Sequence, residues 1–216
     1  MSHPIDPDIA ALRAIVGSAG PYTFLSIGSN LGCGLESVFP DPLCQIIHAV
    51  DLRVASCPDE RGKACTYGVT TAGMIKYLSE QEGTKNHMHK LRTYDMDSAG
   101  FVKTVECHPE IVFLDAEHTN AAVFQDFLNV FPTLPPNSIF AFHDAIIVFD
   151  ALVNIQAMLT FMKIRFKAVY LPGVFALGFG EFADPVGALP TPLDPVSFLQ
   201  NARKFLNAEI ARNTPL

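Results

Sequence analysis

The sequence predicts an α/β fold in three layers, with a mostly parallel sheet between helices and an antiparallel last strand. Short runs that are apolar throughout, such as Tyr22–Ile27 and Glu110–Leu114, alternate with segments of helical periodicity. Such strands are typical of a parallel sheet that is covered on both faces. The final two runs, Ile164–Leu171 and Val174–Phe179, are joined by two residues, too few for a parallel crossover. The last strand is therefore predicted to run antiparallel to its neighbour.

The elements are predicted to follow one another with Pro- and Gly-rich turns between them. Apolar runs predict strands at 22–27, 45–52, 90–94, 110–114, 138–142, 164–171 and 174–179. Apolar residues at helical spacing predict helices at about 7–17, 66–81, 119–131, 148–162 and 196–210. The Pro-rich stretch 181–195 is predicted to be a loop. We therefore expect one domain over 1–216, with its core at about 22–180 and a C-terminal loop and helix at about 181–213.

Composition excludes several classes of protein. Of 216 residues, 49% are hydrophobic and 17% are charged, which argues against long disorder. The net charge of −7 argues against nucleic acid as a partner. Polar residues interrupt the most apolar stretch, 138–162, so no membrane span is expected. The five cysteines contain no C-x-x-C pair, and the N-terminus lacks a signal-peptide pattern, which together predict a cytoplasmic protein.

A glycine loop and an acidic residue follow the first two predicted strands. The loop runs from Gly28 to Gly34 with the spacing G-x-x-x-G-x-G, which differs from the dinucleotide-binding G-x-G-x-x-G. Asp51 ends the second apolar run, where a carboxylate can accept hydrogen bonds from ribose hydroxyls. The two features support a nucleoside-containing ligand. An ordinary strand-to-helix turn and a helix cap are the structural alternatives.

Two further strand ends carry ionisable side chains, in Asp115–His118 and in His143–Asp144. If their strands are neighbours, about 4.8 Å apart, these side chains converge on one small volume. Carboxylates there can bind Mg²⁺ or serve as a general base, and His143 would favour Mn²⁺, Fe²⁺ or Zn²⁺. The structural alternative is that Asp115 caps the helix near Thr119 and that His143 is a core residue.

The segments FLDAEHT, FQDF and LPPNSIFAFHDA resemble the pattern of class I S-adenosylmethionine-dependent methyltransferases. The likeness is to the branch of small-molecule O-methyltransferases related to catechol and cephalosporin-biosynthesis methyltransferases, and it covers about 22–180. It implies a Rossmann-like sheet with strand order 3-2-1-4-5-7-6.

The resemblance also implies roles for individual residues. It implies cofactor contacts for Gly28, Ser29, Gly32, Gly34, Asp51, Asp97, Ser98 and Asp115. It implies Asp115 and Asp144 as ligands of a divalent metal such as Mg²⁺, and Asp115, His118 and His143 as catalytic residues, with the histidines as candidate bases. Ser26 departs from the family, which has Glu at this position and uses it to hold the cofactor's ammonium group.

The predicted function is methyl transfer from S-adenosylmethionine to a small molecule at a hydroxyl oxygen. The apolar segment 148–162 is compatible with a homodimer. One alternative is a non-catalytic methyltransferase-like binding or assembly protein, which Ser26 and the atypical glycine loop favour. Another is an NAD-binding oxidoreductase, against which the glycine spacing and the antiparallel last strand both argue.

Overall fold

Nine strands and seven α-helices make up the computed structural model, which describes residues 7–171, 173–189 and 194–213. The strands are β1 (Tyr22–Ile27), β2 (Cys44–Val50), β3 (Ser56–Asp59), β4 (Lys63–Thr66), β5 (Leu91–Tyr94), β6 (Ile111–Leu114), β7 (Ile139–His143), β8 (Phe166–Tyr170) and β9 (Val174–Phe179). The helices are α1 (Pro7–Gly17), α2 (Thr71–Glu80), α3 (Ser98–Thr104), α4 (Asn120–Val130), α5 (Phe149–Phe161), α6 (Ala183–Gly187) and α7 (Pro195–Asn213).

Seven of the strands form one sheet in the order β5-β2-β1-β6-β7-β9-β8. The first five run parallel, and β9 runs antiparallel to both β7 and β8. Counted along the chain within this sheet, the order is 3-2-1-4-5-7-6, so the predicted fold class and strand order are confirmed. Strands β3 and β4 form a separate hairpin.

Each face of the sheet has its own apolar layer. In β7, Phe140 and Phe142 pack with α4 and α5 on one face, while Ile139 and Ala141 pack on the other face with residues of α1, α2 and α6. Successive side chains of a strand point to opposite faces, so these residues divide between the two layers. All four are fully buried, because helices cover both faces. Within the described residues, no helix is both long enough and apolar enough to cross a membrane.

Helix starts in this fold are set by short polar side chains. The hydroxyl of Thr70 accepts a hydrogen bond from the Gly73 amide at 3.1 Å, and Asp97 accepts one from Gly100 at 2.7 Å. Such caps satisfy amides that have no partner within the first turn. The helix predicted at 66–81 therefore begins only at Thr71, because the residues before it belong to the β3–β4 hairpin and the loop that follows it.

Further elements differ from the prediction, among them α3, for which no helix was predicted. The stretch 181–195, predicted to be a loop, contains α6, in which Pro185 occupies the first turn, where a missing amide proton costs little. The segment around 57–67, which has no predicted element, forms the β3–β4 hairpin. Gly62 is the sequence feature that favours this turn, because it adopts a positive φ of 75° there.

Candidate active site

Strand register brings the predicted site residues to one edge of the sheet. Ile27 of β1 pairs with Val50 of β2 and with Leu114 of β6, so Gly28 lies between Asp51 and Asp115. Leu114 pairs in turn with Phe142 of β7, which places His143 beside Asp115. The carboxyl ends of neighbouring parallel strands thus present a row of side chains, as expected for a ligand site in an open α/β sheet.

Gly28 is fixed by a close approach of two backbones. Its φ is 85°, and a Cβ added there would lie 2.2 Å from the carbonyl oxygen of Asp115. The Gly28 amide donates to the Val50 carbonyl at 2.8 Å, and the Asp115 amide donates to the Ile27 carbonyl at 2.8 Å. No side chain fits at this position, so glycine is needed for the two backbones to approach this closely.

Asp51 is held by the loops on either side of it. One carboxylate oxygen accepts from the Asn30 amide at 2.7 Å, and the other accepts from the Arg53 amide at 2.7 Å. The guanidinium of Arg53 lies over the glycine loop and donates to the Asn30 carbonyl at 2.6 Å and to the Ser29 hydroxyl at 3.1 Å. Each carboxylate oxygen of Asp51 retains a second lone pair for a ligand hydroxyl.

A cavity of about 300 Å³ lies in front of this edge. Gly28, Asp51, Asp97, Ser98 and Asp115, all predicted cofactor contacts, line it. Its apolar walls include Ile27, Val50, Val69 and Met96, and its further polar residues include Arg53, Glu117 and Asp126. The described lining therefore holds five carboxylates and a single guanidinium, which makes the cavity strongly negative.

The far end of this cavity contains a buried carboxyl group. Ser98 donates to a carboxylate oxygen of Asp126 at 2.6 Å, and the Asn129 side chain donates to the Ser98 hydroxyl at 2.8 Å. Burial raises the pKa of Asp126 to about 6, and the nearby carboxylates Asp97 and Glu117 contribute in the same direction.

A cluster of two histidines and three carboxylates lies beside the cavity. Nε2 of His118 lies 3.5 Å from Asp115 and 3.4 Å from Asp144, while its Nδ1 lies 3.4 Å from Asp59. Nδ1 of His143 lies 3.2 Å from Asp115. Asp144 has a φ of 49°, a left-handed conformation that is uncommon outside glycine and is found at active sites.

The charges in this cluster stabilise one another. The contact with Asp115, together with the charges of Asp144 and Asp59, raises the pKa of His118 although burial opposes the effect. Burial alone would raise the pKa of Asp115, but the hydrogen bonds and charges of His118 and His143 lower it overall. The surrounding carboxylates therefore favour the protonated form of His118.

Potential metal ligands also meet in this cluster. One ligand atom from each of Asp115, His118 and Asp144 lies within 4.8 Å of the others. One imidazole and two carboxylates suit Mn²⁺, Fe²⁺ or Zn²⁺ better than Mg²⁺, which prefers oxygen ligands throughout.

The β3–β4 hairpin supplies a third carboxylate, Asp59, which was not among the predicted site residues. The side chain of Asp59 is fully buried, and its oxygens accept from Nε of Arg61 at 2.8 Å and from the thiol of Cys65 at 3.1 Å. The pKa of Asp59 lies well below its usual range, because the hydrogen bonds and charge of Arg61 outweigh the effect of burial. Asp59 also forms an isolated β-bridge with His118.

The same hairpin is attached to the last helix. The Asn213 side chain donates to the Arg61 carbonyl at 2.7 Å, and a Cβ at Gly62 would lie 3.8 Å from Cα of Ile210. On the other side, the Glu60 amide donates to the His118 carbonyl at 3.0 Å. The histidine–carboxylate cluster therefore lies beside a hairpin that bridges α7 and the loop after β6.

A second cavity, of about 260 Å³, opens on the other side of His143 and Asp144. Its walls come from the loop after β7, from Gly173 and from the first turns of α7. His143 contacts Asp115 of the first cavity, so the two cavities meet at this pair of side chains.

Some predicted site residues lie away from the first cavity. Ser29, Gly32 and Gly34 are absent from its described lining. Gly32, with a φ of 91°, has a positional role instead, since a Cβ there would lie 2.9 Å from Leu78. Ser26 is buried within β1 and is likewise absent from the lining, so it provides no carboxylate to the cavity.

Three contributors were missed by sequence reasoning: Arg53, Asp59 and Asp126. Arg53 lies in no motif, and Asp126 lies in the FQDF segment but had no predicted role, because tertiary packing alone brings both side chains to the cavity. Asp59 had a local signal, since Asp59-Glu-Arg-Gly62 between two short runs of strand-forming residues is typical of a hairpin turn.

Comparisons with known proteins find one matching family model and several solved structures with a similar fold. A family model described as a methyltransferase domain matches residues 43–145, and no curated protein sequence matches the chain. The O-methyltransferase TomG from Streptomyces achromogenes, solved in complex with SAM, is 13% identical with a TM-score of 0.57, over 83% of this chain and 82% of that chain. The O-methyltransferase NovP is 10% identical with a TM-score of 0.58, over 81% and 79%.

A structure with different chemistry is also similar. Spermidine synthase from Thermotoga maritima is 10% identical with a TM-score of 0.53, over 94% of this chain and 72% of that chain. At identities this low, the structural likeness establishes the fold, and the acceptor has to be argued from the site.

Proposed function

We propose that this chain, a class I S-adenosylmethionine-dependent methyltransferase, transfers the methyl group to a hydroxyl oxygen of a small molecule. The methyltransferase-domain match and the sheet order confirm the resemblance drawn from the sequence. The observation that carries the proposal is the carboxylate-rich cavity that meets the cluster of His118, His143, Asp115 and Asp144.

The charge of the cavity favours this cofactor over a dinucleotide. S-adenosylmethionine carries a sulfonium and an ammonium group against one carboxylate, so it is a cation overall. NAD brings a pyrophosphate with two negative charges. Five carboxylates and one guanidinium in the described lining attract the first ligand and repel the second.

We assign the parts of the cofactor from the order of residues along the cavity. Asp51 accepts hydrogen bonds from the ribose hydroxyls, and its fixed orientation between the Asn30 and Arg53 amides prepares it for that role. Asp97 and Ser98 lie at the adenine end. Asp115 lies at the methionine end and attracts the ammonium group, which compensates for Ser26 at the position of the family's glutamate.

Because the sulfonium methyl group is already reactive, the protein has to align it with the acceptor hydroxyl and remove the proton of that hydroxyl. We propose His143 as the base, since it borders the second cavity and contacts Asp115 through Nδ1. That contact favours the tautomer with the proton on Nδ1, so Nε2 is the basic atom. His118 is less suited to the role, because its contacts with three carboxylates favour its protonated form, which is not a base.

We further propose that Asp115, His118 and Asp144 hold a divalent cation, with Mn²⁺ preferred to Mg²⁺. The donor set and the short distances between its ligand atoms support the site. Such an ion would lower the pKa of an acceptor hydroxyl when bound.

Titration calorimetry with S-adenosylhomocysteine tests the cofactor assignment. We expect micromolar binding to the purified protein, no measurable binding of NAD, and a loss of at least about 100-fold in affinity for Asp51→Ala, in line with two lost hydrogen bonds to a charged group. Asp150→Ala, at an exposed position of α5, is the matched control and should bind normally. Unchanged affinity in Asp51→Ala, or tighter binding of NAD, would contradict the assignment.

Electron paramagnetic resonance of added Mn²⁺ tests the metal proposal on the same protein. The signal of free Mn²⁺ should fall on addition of the wild-type chain and remain with Asp144→Asn. Displacement by Mg²⁺ should need a large excess. A wild-type chain that leaves the Mn²⁺ signal unchanged would refute the metal site without affecting the cofactor site.

A further inference from the structure

The second cavity has the position that methyl transfer requires of an acceptor site. It borders His143 and Asp144, whereas the first cavity borders Asp115, and the Nδ1 of His143 lies 3.2 Å from Asp115. A methyl donor in one cavity and a hydroxyl in the other would therefore meet at this pair of residues. In-line displacement needs this arrangement, with donor and acceptor on opposite sides of the transferred group.

The size and walls of the cavity limit what it can hold. At about 260 Å³ it lies at the lower end of the range for small-molecule sites. Apolar surface comes from Ala145, Ile146 and Phe198, and Phe198 is itself anchored by ring contact with Tyr170 at 4.5 Å between centroids. These walls suit a single ring or a short carbon chain.

Apart from His143, the ionisable side chains described in the lining of this cavity are carboxylates. The described lining contains two carboxylates, Asp144 and Asp194, and no lysine or arginine. Asp194 caps α7 by accepting from the Ser197 amide at 2.8 Å, and this hydrogen bond lowers its pKa, so it is ionised at neutral pH.

Charge therefore selects among hydroxylated acceptors. A carboxylate or phosphate on the acceptor would face two negative groups without a described cation in the lining to neutralise it. An amine on the acceptor would instead find Asp194 at one end while its hydroxyl meets His143 at the other. Ser197 and Asn201 add neutral hydrogen-bonding groups on the α7 side.

Resting on the methyltransferase function proposed above, we propose that the cavity between the loop after β7 and the start of α7 is the acceptor site. It takes small hydroxylated molecules that are neutral or carry an amine, and it rejects those that carry an anionic group. Residues of α7, which lie more than 50 positions after His143, thus determine acceptor specificity.

Three catechols with a cationic, a neutral and an anionic side chain test this inference. They are dopamine, 4-methylcatechol and 3,4-dihydroxyphenylacetate, each titrated into the protein saturated with S-adenosylhomocysteine. We expect dopamine to bind about tenfold more tightly than the carboxylate, with 4-methylcatechol between them. Asp194→Asn should reduce the tenfold ratio to about threefold, the loss expected for one exposed charge pair. Glu181→Gln, which follows β9 at the opposite edge of the sheet, should leave the ratio unchanged.

The outcomes separate the two proposals. Failure of S-adenosylhomocysteine itself to bind would refute the proposed function. If it binds, the acceptor inference is overturned by equal or tighter binding of the carboxylate, by an unchanged ratio in Asp194→Asn, or by no binding of any of the three catechols. A second variant, Asn201→Leu, fills the cavity from the α7 side. It should weaken the binding of dopamine at least tenfold and leave the affinity for S-adenosylhomocysteine unchanged.

Discussion

The buried carboxyl group of Asp126 makes the stability of the cofactor-free protein depend on pH in an unusual direction. Burial favours the protonated form and raises the pKa from 3.8 to about 6. The folded chain therefore binds a proton more tightly than the unfolded chain does. The sign of the effect follows from linkage: stability from this group is complete below pH 3.8 and is lost as the pH rises through 6.

The magnitude can be worked out from these two pKa values. One pKa unit corresponds to about 1.4 kcal/mol, so ionised Asp126 costs the folded state about 3 kcal/mol at pH 8. At pH 4.5 the same two values leave a cost of about 1 kcal/mol. Asp126→Asn keeps an oxygen to accept from Ser98 and removes the charge, so it should be more stable than the wild type by these amounts.

Urea unfolding at both pH values measures the difference. The chain contains no tryptophan, so far-UV circular dichroism is the suitable signal. Glu106→Gln is the matched control, because this carboxylate is exposed, and its stability relative to the wild type should change little with pH. A stabilisation of Asp126→Asn that is equal at the two pH values would refute the reasoning, as would a loss of stability at pH 8.

Two further substitutions test the backbone corner and the hairpin. Gly28→Ala should destabilise the fold by at least about 2 kcal/mol and weaken S-adenosylhomocysteine binding, because its Cβ meets the backbone of Asp115. Gly68→Ala, with nothing within 4 Å, is the control, and equal melting temperatures for the two variants would contradict the prediction. Asp59→Asn should cost about 3–5 kcal/mol in urea unfolding, since it removes one charge of a buried pair. The exposed ion pair of Asp184 with Arg165 is the control, and Asp184→Asn should lower the free energy of unfolding by at most about 1 kcal/mol. Similar losses for the two variants would show that the Asp59 pair is not effectively buried.

The strand ends could be predicted because each carries a local signal. Asp51, Asp115 and His143 directly follow apolar runs, and parallel strands gather such residues at one edge. The antiparallel last strand followed from a two-residue connection alone. The single-domain organisation, the cytoplasmic location and a homodimer stay predictions.

The rest of the site depends on contacts between distant parts of the chain. Asp59 reaches His118 across 59 positions, and Asn213 reaches Arg61 across 152. No periodicity or spacing in the sequence records these pairings. Asp126 illustrates the same limit, because its helical position predicts a polar surface residue, and only the packing of α3 against α4 buries it.

The attachment of the hairpin to α7 has a consequence for the order in which the protein becomes functional. The sheet edge with Asp51, Asp115 and His143 is complete once about 180 residues have been synthesised. The contact between Arg61 and Asn213, and with it the α7 wall of the second cavity, requires residues at the very end of the described chain. A chain synthesised only as far as β9 would thus hold this sheet edge without the α7 wall. The second cavity is complete only when α7 has docked.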